Sequence, residues 1–180
     1  MTNINTANGI QDGPVQYLTF ILDGEAFATE IAQVREVLEY TSITKVPRTP
    51  DYMCGVINLR GSVVPVVDMR LQFGMAAIEP TVDTCIIIIE VEVDDQLVVL
   101  GALADSVQEV LELRGEQMEP APTLGTRINT RFIRAIGKID ERFVIILDMN
   151  RVFSMDQLAE VTDSSELPEV ATDELQERAA

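Results

Sequence analysis

The sequence has no histidine and no tryptophan, and only two cysteines, Cys54 and Cys85, among its 180 residues. Without histidine, the commonest general base and the commonest transition-metal ligand are missing, so Ser-His-Asp, Cys-His and histidine-metal chemistry are excluded and an enzyme is not expected. The cysteines stand in apolar, strand-like contexts without a partner motif, which suits buried reduced thiols better than a disulfide. Basic residues are scarce too: 13 Lys and Arg against 30 Asp and Glu leave a formal charge of -17. A field of that sign repels phosphate backbones and anionic membrane surfaces, so protein partners are expected and nucleic acid is not. The longest apolar run, residues 85 to 89, is one strand long and far short of the roughly 18 to 20 residues that span a bilayer. No direct membrane insertion is expected, and with no basic-then-apolar leader at the start the expected location is the cytoplasm. Asp83, Asp94, Asp95 and Asp105 lack calcium-loop spacing, and no phosphate-binding glycine motif is present, so neither a metal nor a cofactor is expected.

What the chain does have is an internal repeat. Val34-Arg35-Glu36-Val37-Leu38-Glu39 returns as Val107-Gln108-Glu109-Val110-Leu111-Glu112, and the segment from Tyr52 to Met69 returns in outline as Phe132 to Met149. In that second echo Asp68-Met69 faces Asp148-Met149, and beyond it Phe73 faces Phe153. Two echoes in the same order, the second set slightly further along than the first, imply one duplicated unit with a small insertion in its later copy. With 47% hydrophobic residues, the chain has enough apolar surface for two small units sharing a core.

Residues 1–15 read as a mobile leader. Residues 17 to 22 and 25 to 28 flank the turn dipeptide Asp23-Gly24 and predict a hairpin. Residues 31 to 38 fit an amphipathic helix or a turn followed by a strand; the repeat favours turn plus strand in both copies. Pro47 and Pro50 fix an irregular loop. Strands at 56 to 58 and 63 to 67 flank Leu59-Arg60-Gly61, where Gly61 can supply positive φ, and Pro65 predicts an edge strand or a bulge. Residues 74–84 connect the copies. A hairpin around Asp94-Asp95 follows, then a loop marked by Pro120 and Pro122, a crossing segment at 124 to 129 and a last long strand at 143 to 147. Ser154 and Gln157 suggest a capped short helix, and residues 156–180 read as an acidic, largely disordered tail. About five short strands per copy close most easily into small barrels, so the expectation is mainly β, two linked barrels within residues 16–155.

Arg60 is the first candidate for function, because a turn tip projects its guanidinium in a rigid frame where it can fork onto a partner carboxylate. Two blander readings stay open: Arg60 solvates a turn, or it pairs with a nearby acid such as Asp68. Asn58 suits a side chain bonding its own turn backbone. Glu36 and Glu109 occupy matched positions, each bracketed by valines, and suit either a solvated strand face or, for Glu36, a partner contact amid Val34, Val37 and Leu38.

Taken together, Val34-x-Glu36-Val37, Pro47, Pro50, Gly55-Val56-x-Asn58-Leu59-Arg60-Gly61, Pro65-x-Val67-Asp68-x-Arg70 and Asp105-x-Val107-x-Glu109-Val110 form a pattern that resembles the CheW family of chemotaxis coupling proteins over about residues 16 to 155. The resemblance implies two pseudo-symmetric, five-stranded SH3-like barrels on a shared apolar core. It implies an adaptor that joins the cytoplasmic signalling tip of transmembrane chemoreceptors to the regulatory domain of the histidine kinase CheA, in membrane-associated arrays. Carried over by position, Glu36 and Arg60 match residues implicated in partner coupling, with Val37 and Asn58 beside them. Val34, Gly55, Val107, Val110 and Gly137 match positions near the receptor groove or the barrel packing, and Gly61 the turn. Ala135 departs from the family's usual glycine. Related expectations are a CheW-like adaptor for another receptor-kinase pathway such as pilus-based surface motility, and, remotely, a small ligand-binding or hydrolytic barrel. A fused receiver domain, as in CheV relatives, is not expected.

Overall fold

Four tight turns organise the chain. The computed structural model describes residues 13–122 and 129–153. In it β1 (Val15–Leu22) and β2 (Glu25–Glu30) meet at Asp23 and Gly24, β4 (Met53–Leu59) and β5 (Ser62–Asp68) at Arg60 and Gly61, β6 (Cys85–Val93) and β7 (Gln96–Ala104) at Asp94 and Asp95, and β10 (Ile133–Ile139) and β11 (Arg142–Leu147) at Asp140 and Glu141. Every one of these turn residues has positive φ, from 43° to 87°. Two-residue loops of that kind twist in the sense that flanking strands require, which fixes each hairpin's register. The turn expected at Leu59-Arg60-Gly61 is therefore Arg60-Gly61, with Arg60 itself left-handed at φ 51°.

β3 (Val34–Glu39) follows a 3-10 turn at Ile31–Gln33, the turn-plus-strand arrangement expected from the repeat. β8 (Ser106–Leu113) is its counterpart, and β9 (Met118–Glu119) is a two-residue addition. One sheet runs β3-β6-β7-β5-β4 and the other β8-β1-β2-β11-β10-β9. If β1 to β5 are matched to β6, β7, β8, β10 and β11, the first order becomes the second strand for strand. Both sheets contain one parallel pairing at matched places, β5 with β7 and β11 with β2. Each barrel thus takes its first hairpin from one copy and its other three main strands from the other, so sheet membership and repeat membership do not coincide. The resulting mainly β architecture is two SH3-like barrels, called here the first (β3-β6-β7-β5-β4) and the second.

A one-turn helix ends each copy, α1 (Met69–Gln72) and α2 (Met149–Val152). Asp68 Oδ1 accepts from the backbone N–H of Arg70 at 2.8 Å and of Leu71 at 3.3 Å, and Asp148 Oδ1 accepts from that of Arg151 at 3.2 Å. These carboxylates satisfy donors that a helix start leaves open, which is why the Asp-Met pair recurs at the same place in both copies.

Each barrel holds a small core, Ile57, Val64, Val66, Ile86 and Ile88 in the first and Tyr17, Ala28, Leu113, Val144 and Ile146 in the second. A larger core joins them, in which Phe20, Phe27, Phe73 and Phe132 follow one another with ring centroids 6.0, 6.1 and 6.2 Å apart. Alternation on the strands feeds two cores at once: in β6, Ile86 and Ile88 face the barrel and Ile87 and Ile89 the shared layer.

The expectation for Pro65 is corrected. β5 lies between β7 and β4, not at an edge, and the irregular register falls on β4 between Met53 and Gly55. Pro65 is tolerated because its partner Val56 exchanges both backbone bonds with Thr44, at 2.9 Å each, and pairing with β7 starts only at Val66. No ladder bond is asked of the missing N–H. Among the described residues no helix is long and apolar enough to cross a membrane. Most of the expected leader, most of the crossing segment at 124 to 129, the capping box at Ser154 and Gln157 and the acidic tail lie outside the described residues.

Candidate functional site

β3 and β4 are the two outermost strands of the first barrel's sheet, and the tip of the β4–β5 hairpin reaches β3 through Arg60. Arg60 Nη2 lies 3.0 Å from Glu36 Oε2. The Arg60 side chain is 78% exposed and that of Glu36 24%, so the acid is anchored at the rim while the guanidinium stays open to solvent. Of the two blander readings of Arg60, pairing with an acid is correct but the acid is Glu36. Asp68 is occupied capping α1.

Local chemistry holds this tip in place. Asn58 Oδ1 accepts from the Gly61 N–H at 2.9 Å, the backbone-bonding role that suits a turn asparagine. Gly61 sits at φ 87° with open space where a Cβ would go. Gly55, at the β4 irregularity, is more constrained: at φ 144° a Cβ there would meet the Thr44 carbonyl oxygen at 2.1 Å. Gly55 lets residue 44 pair across β4. Gly137 is milder, with Leu113 Cδ1 3.0 Å from its added Cβ.

The remaining candidates separate. Val37 is 40% exposed on the outer face of β3 and Val63, beside the tip, is 73% exposed. Val34 instead packs against the shared core and Leu38 against the first barrel's core, so only Val37 of the three apolar residues around Glu36 offers open surface. Val107 packs against the shared core from β8, in the second barrel, and Val110 on the same strand is 48% exposed. The structure therefore gathers Glu36, Val37, Asn58 and Arg60 on the first barrel's sheet and places Val107 and Val110 on the other sheet.

One group escaped the sequence reading. Arg70, only 8% exposed, donates from Nη1 to Asp105 Oδ2 at 2.6 Å and from Nε to the Ala76 carbonyl at 2.7 Å, and Nη2 lies 3.4 Å from Asp23 Oδ1. It ties α1 to the β1–β2 turn and to the β7–β8 junction. The signal was present as Asp68-x-Arg70 and Asp105, although their meeting depends on strand exchange between barrels. Cys54, expected as a reduced thiol, is a free cysteine, and burial, with the nearby Asp68 charge adding to it, pushes its thiol up to about 12. Burial also raises Asp68 above the usual carboxylate value, against the opposing pull of the Leu71 and Arg70 N–H groups.

The rim offers an exposed guanidinium, a carboxylate that orients it and exposed apolar side chains on the same sheet, the composition of a protein contact.

Comparison with known proteins agrees with this reading. The CheW-like domain family matches residues 16–157. The chemotaxis protein CheW of Klebsiella aerogenes is 33% identical over 144 residues, covering 80% of this chain and 84% of that protein. That of Bacillus subtilis is 33% identical over 138 residues, covering 75% and 84%. The crystal structure of the scaffolding protein TtCheW from Thermoanaerobacter tengcongensis superposes with a TM-score of 0.71 at 35% identity, covering 80% of this chain and 95% of that one. In exchanged-barrel fold, in sequence and in the length matched, this chain belongs to the CheW family.

Proposed function

We propose that the chain is a chemotaxis adaptor that couples transmembrane chemoreceptors to a CheA-type histidine kinase, without chemistry of its own. The observation that carries this reading is the exposed Arg60 guanidinium, held by Glu36 on the rim of the first barrel in a chain of this family. A charged group fixed before a partner arrives loses little conformational freedom on docking, which favours specificity and fast encounter. Val63, next to the tip, adds exposed apolar area, and Val37 adds more on the outer face of β3.

In this reading the rim formed by Glu36, Val37, Asn58 and Arg60 meets the kinase regulatory domain. An amphipathic helix at the receptor's cytoplasmic tip lies between the barrels, near Val34, Val107 and Val110. Receptor state then biases the kinase equilibrium through contacts that differ between the two signalling states, which tethering alone does not achieve. The adaptor works in the cytoplasm, recruited to receptor arrays, with residues 16–155 as its working unit.

The test is reconstitution of the purified chain with CheA and a receptor signalling fragment, following kinase autophosphorylation. Receptor-dependent activity should rise as adaptor is added and should fail to rise with Arg60→Ala. A folded adaptor that binds neither partner and changes nothing would sink the reading.

A further inference from the structure

The second barrel repeats the rim of the first without the two arginines that form ion pairs there. By the repeat, Glu36 corresponds to Glu109, Arg60 to Asp140, Arg35 to Gln108 and Val63 to Phe143. Glu90 and Thr19 also correspond, each standing at the same distance ahead of its hairpin turn. In the first barrel two ion pairs tie β3 to its neighbours, Arg35 to Glu90 and Arg60 to Glu36, both at 3.0 Å. At the same positions the second barrel has Gln108 with Thr19, and Asp140 with Glu109.

An open cleft of about 650 Å³ lies between the β1–β2 hairpin, β8 and the β10–β11 hairpin. That size falls within the roughly 300–1,000 Å³ typical of ligand sites. Leu111, Ile139 and Phe143 line it, with Phe143 61% exposed, and Glu25, Glu109 and Arg142 provide its charged groups. Glu109 is held by its backbone: Thr19 Oγ1 donates to the Glu109 carbonyl at 2.7 Å and accepts from the Glu109 N–H at 3.0 Å. Thr19 is itself buried, so the strand carrying the carboxylate is fixed from beneath.

We propose that this cleft is a docking site for an arginine carried by a partner protein on a turn or extended segment with aliphatic neighbours. The guanidinium would meet Glu109 and the neighbours would cover Leu111 and Phe143. The molecule itself supplies the template, since at the equivalent place in the first barrel an arginine, flanked by Leu59 and Gly61, lies against the equivalent glutamate. Charge agrees: Glu25 and Glu109 in the cleft, with Asp140 and Glu141 on the adjoining turn, outnumber Arg142. The inference does not rest on the coupling reading, because it concerns binding at the second barrel and needs neither receptor nor kinase.

The test titrates the full-length, isotope-labelled chain with acetyl-Leu-Arg-Gly-Val-amide and follows backbone and side-chain resonances by NMR. Saturable shifts are expected at Glu109, Leu111, Ile139 and Phe143. Replacing arginine by neutral, nearly isosteric citrulline in the peptide should weaken binding at least fivefold, as should Glu109→Lys in the protein. Phe143→Ser should weaken it with the thermal midpoint kept, which separates a lost wall from a lost fold. Absence of shifts at millimolar peptide, equal binding of the citrulline peptide, or shifts centred on Arg60 would each overturn the proposal. So would concentration-dependent self-association of the chain that the peptide disperses, which would make a second copy the occupant.

Discussion

Arg60 and Glu36, 24 residues apart in sequence, join the two edges of one barrel through a single 3.0 Å contact. The arginine is on a left-handed turn and the glutamate on a strand that never pairs with that hairpin. With the guanidinium mostly in water, such a pair is worth about 0.2–1 kcal/mol. That is too little to explain a fixed tip by stability alone, so the pair is better understood as positioning: Glu36 orients Arg60, and Asn58 shapes the turn that carries it.

Arg60→Ala and Glu36→Ala should therefore each change unfolding free energy by no more than about 1 kcal/mol, and a double-mutant cycle should give a coupling of about 0.2–1 kcal/mol. Denaturant titrations of the four proteins measure this. A loss of about 3 kcal/mol or more in either single variant, the scale of a buried pair broken on one side, would assign the pair to the framework instead.

Gly55 and Gly61 both have positive φ and should respond differently to alanine. At Gly61 the added methyl meets nothing, so only backbone strain of about 1–2 kcal/mol is expected. At Gly55 the methyl would enter the Thr44 carbonyl, and the residue 44–56 bridge must open to admit it. Gly55→Ala should cost at least about 2 kcal/mol more than Gly61→Ala, because strain is joined by two lost backbone bonds of about 1 kcal/mol each. Equal thermal shifts in the two variants would contradict this.

Cys54, with its thiol raised to about 12, is a proton held more tightly by the folded chain than by the unfolded one. Its contribution to stability is complete below the unfolded value near 9.0 and is lost as pH rises toward 12. At pH 8 the folded chain therefore holds this thiol almost wholly protonated. In a Cys85→Ser background, iodoacetamide should label Cys54 at pH 8 at least about 100-fold faster in denaturant than in buffer. Rapid labelling of the folded chain would show that the thiol is reachable and ionised.

Local chemistry made much of this fold legible from sequence. Turn residues marked three hairpins and the repeat decided between helix and strand at residues 31 to 38, whereas the recurring Asp-Met pairs were legible only as a repeat and not as the two helix starts they turn out to be. Arg60 was legible as a rigid tip because Gly61 and Asn58 are neighbours in sequence. Its partner was not, since Glu36 and Arg60 meet only after β6 and β7, from the other copy, separate β3 from β5. Pro65 misled for the same reason: its tolerance depends on Thr44, a distant residue that relieves Val56 of its bonds. Sequence periodicity reports which face of a strand is apolar and says nothing about which copy supplies its neighbour.

The strand exchange also sets the last prediction. Arg70, on α1 at the end of a first-barrel strand, reaches Asp23 on a second-barrel turn and Asp105 where the chain passes between barrels. At the equivalent place in the other copy Asn150 Oδ1 accepts from Gln33 Nε2 at 3.2 Å and from the Glu92 N–H at 3.0 Å. One junction is charged and the other neutral. Removing Arg70 leaves Asp105, whose side chain is 20% exposed, without its principal counter-charge. Arg70→Met should cost about 2–4 kcal/mol, somewhat below a fully buried pair broken on one side. Asn150→Ala, which loses neutral bonds near solvent, should cost about 0.5–1.5 kcal/mol. Because most of the Arg70 penalty is an acid stranded without its partner, adding Asp105→Asn to Arg70→Met should restore part of the stability. Denaturant midpoints of the single and double variants decide it: a double variant less stable than Arg70→Met would mean that Asp105 supports the junction through its Asp23 backbone bond, 2.9 Å from the N–H, more than through its charge.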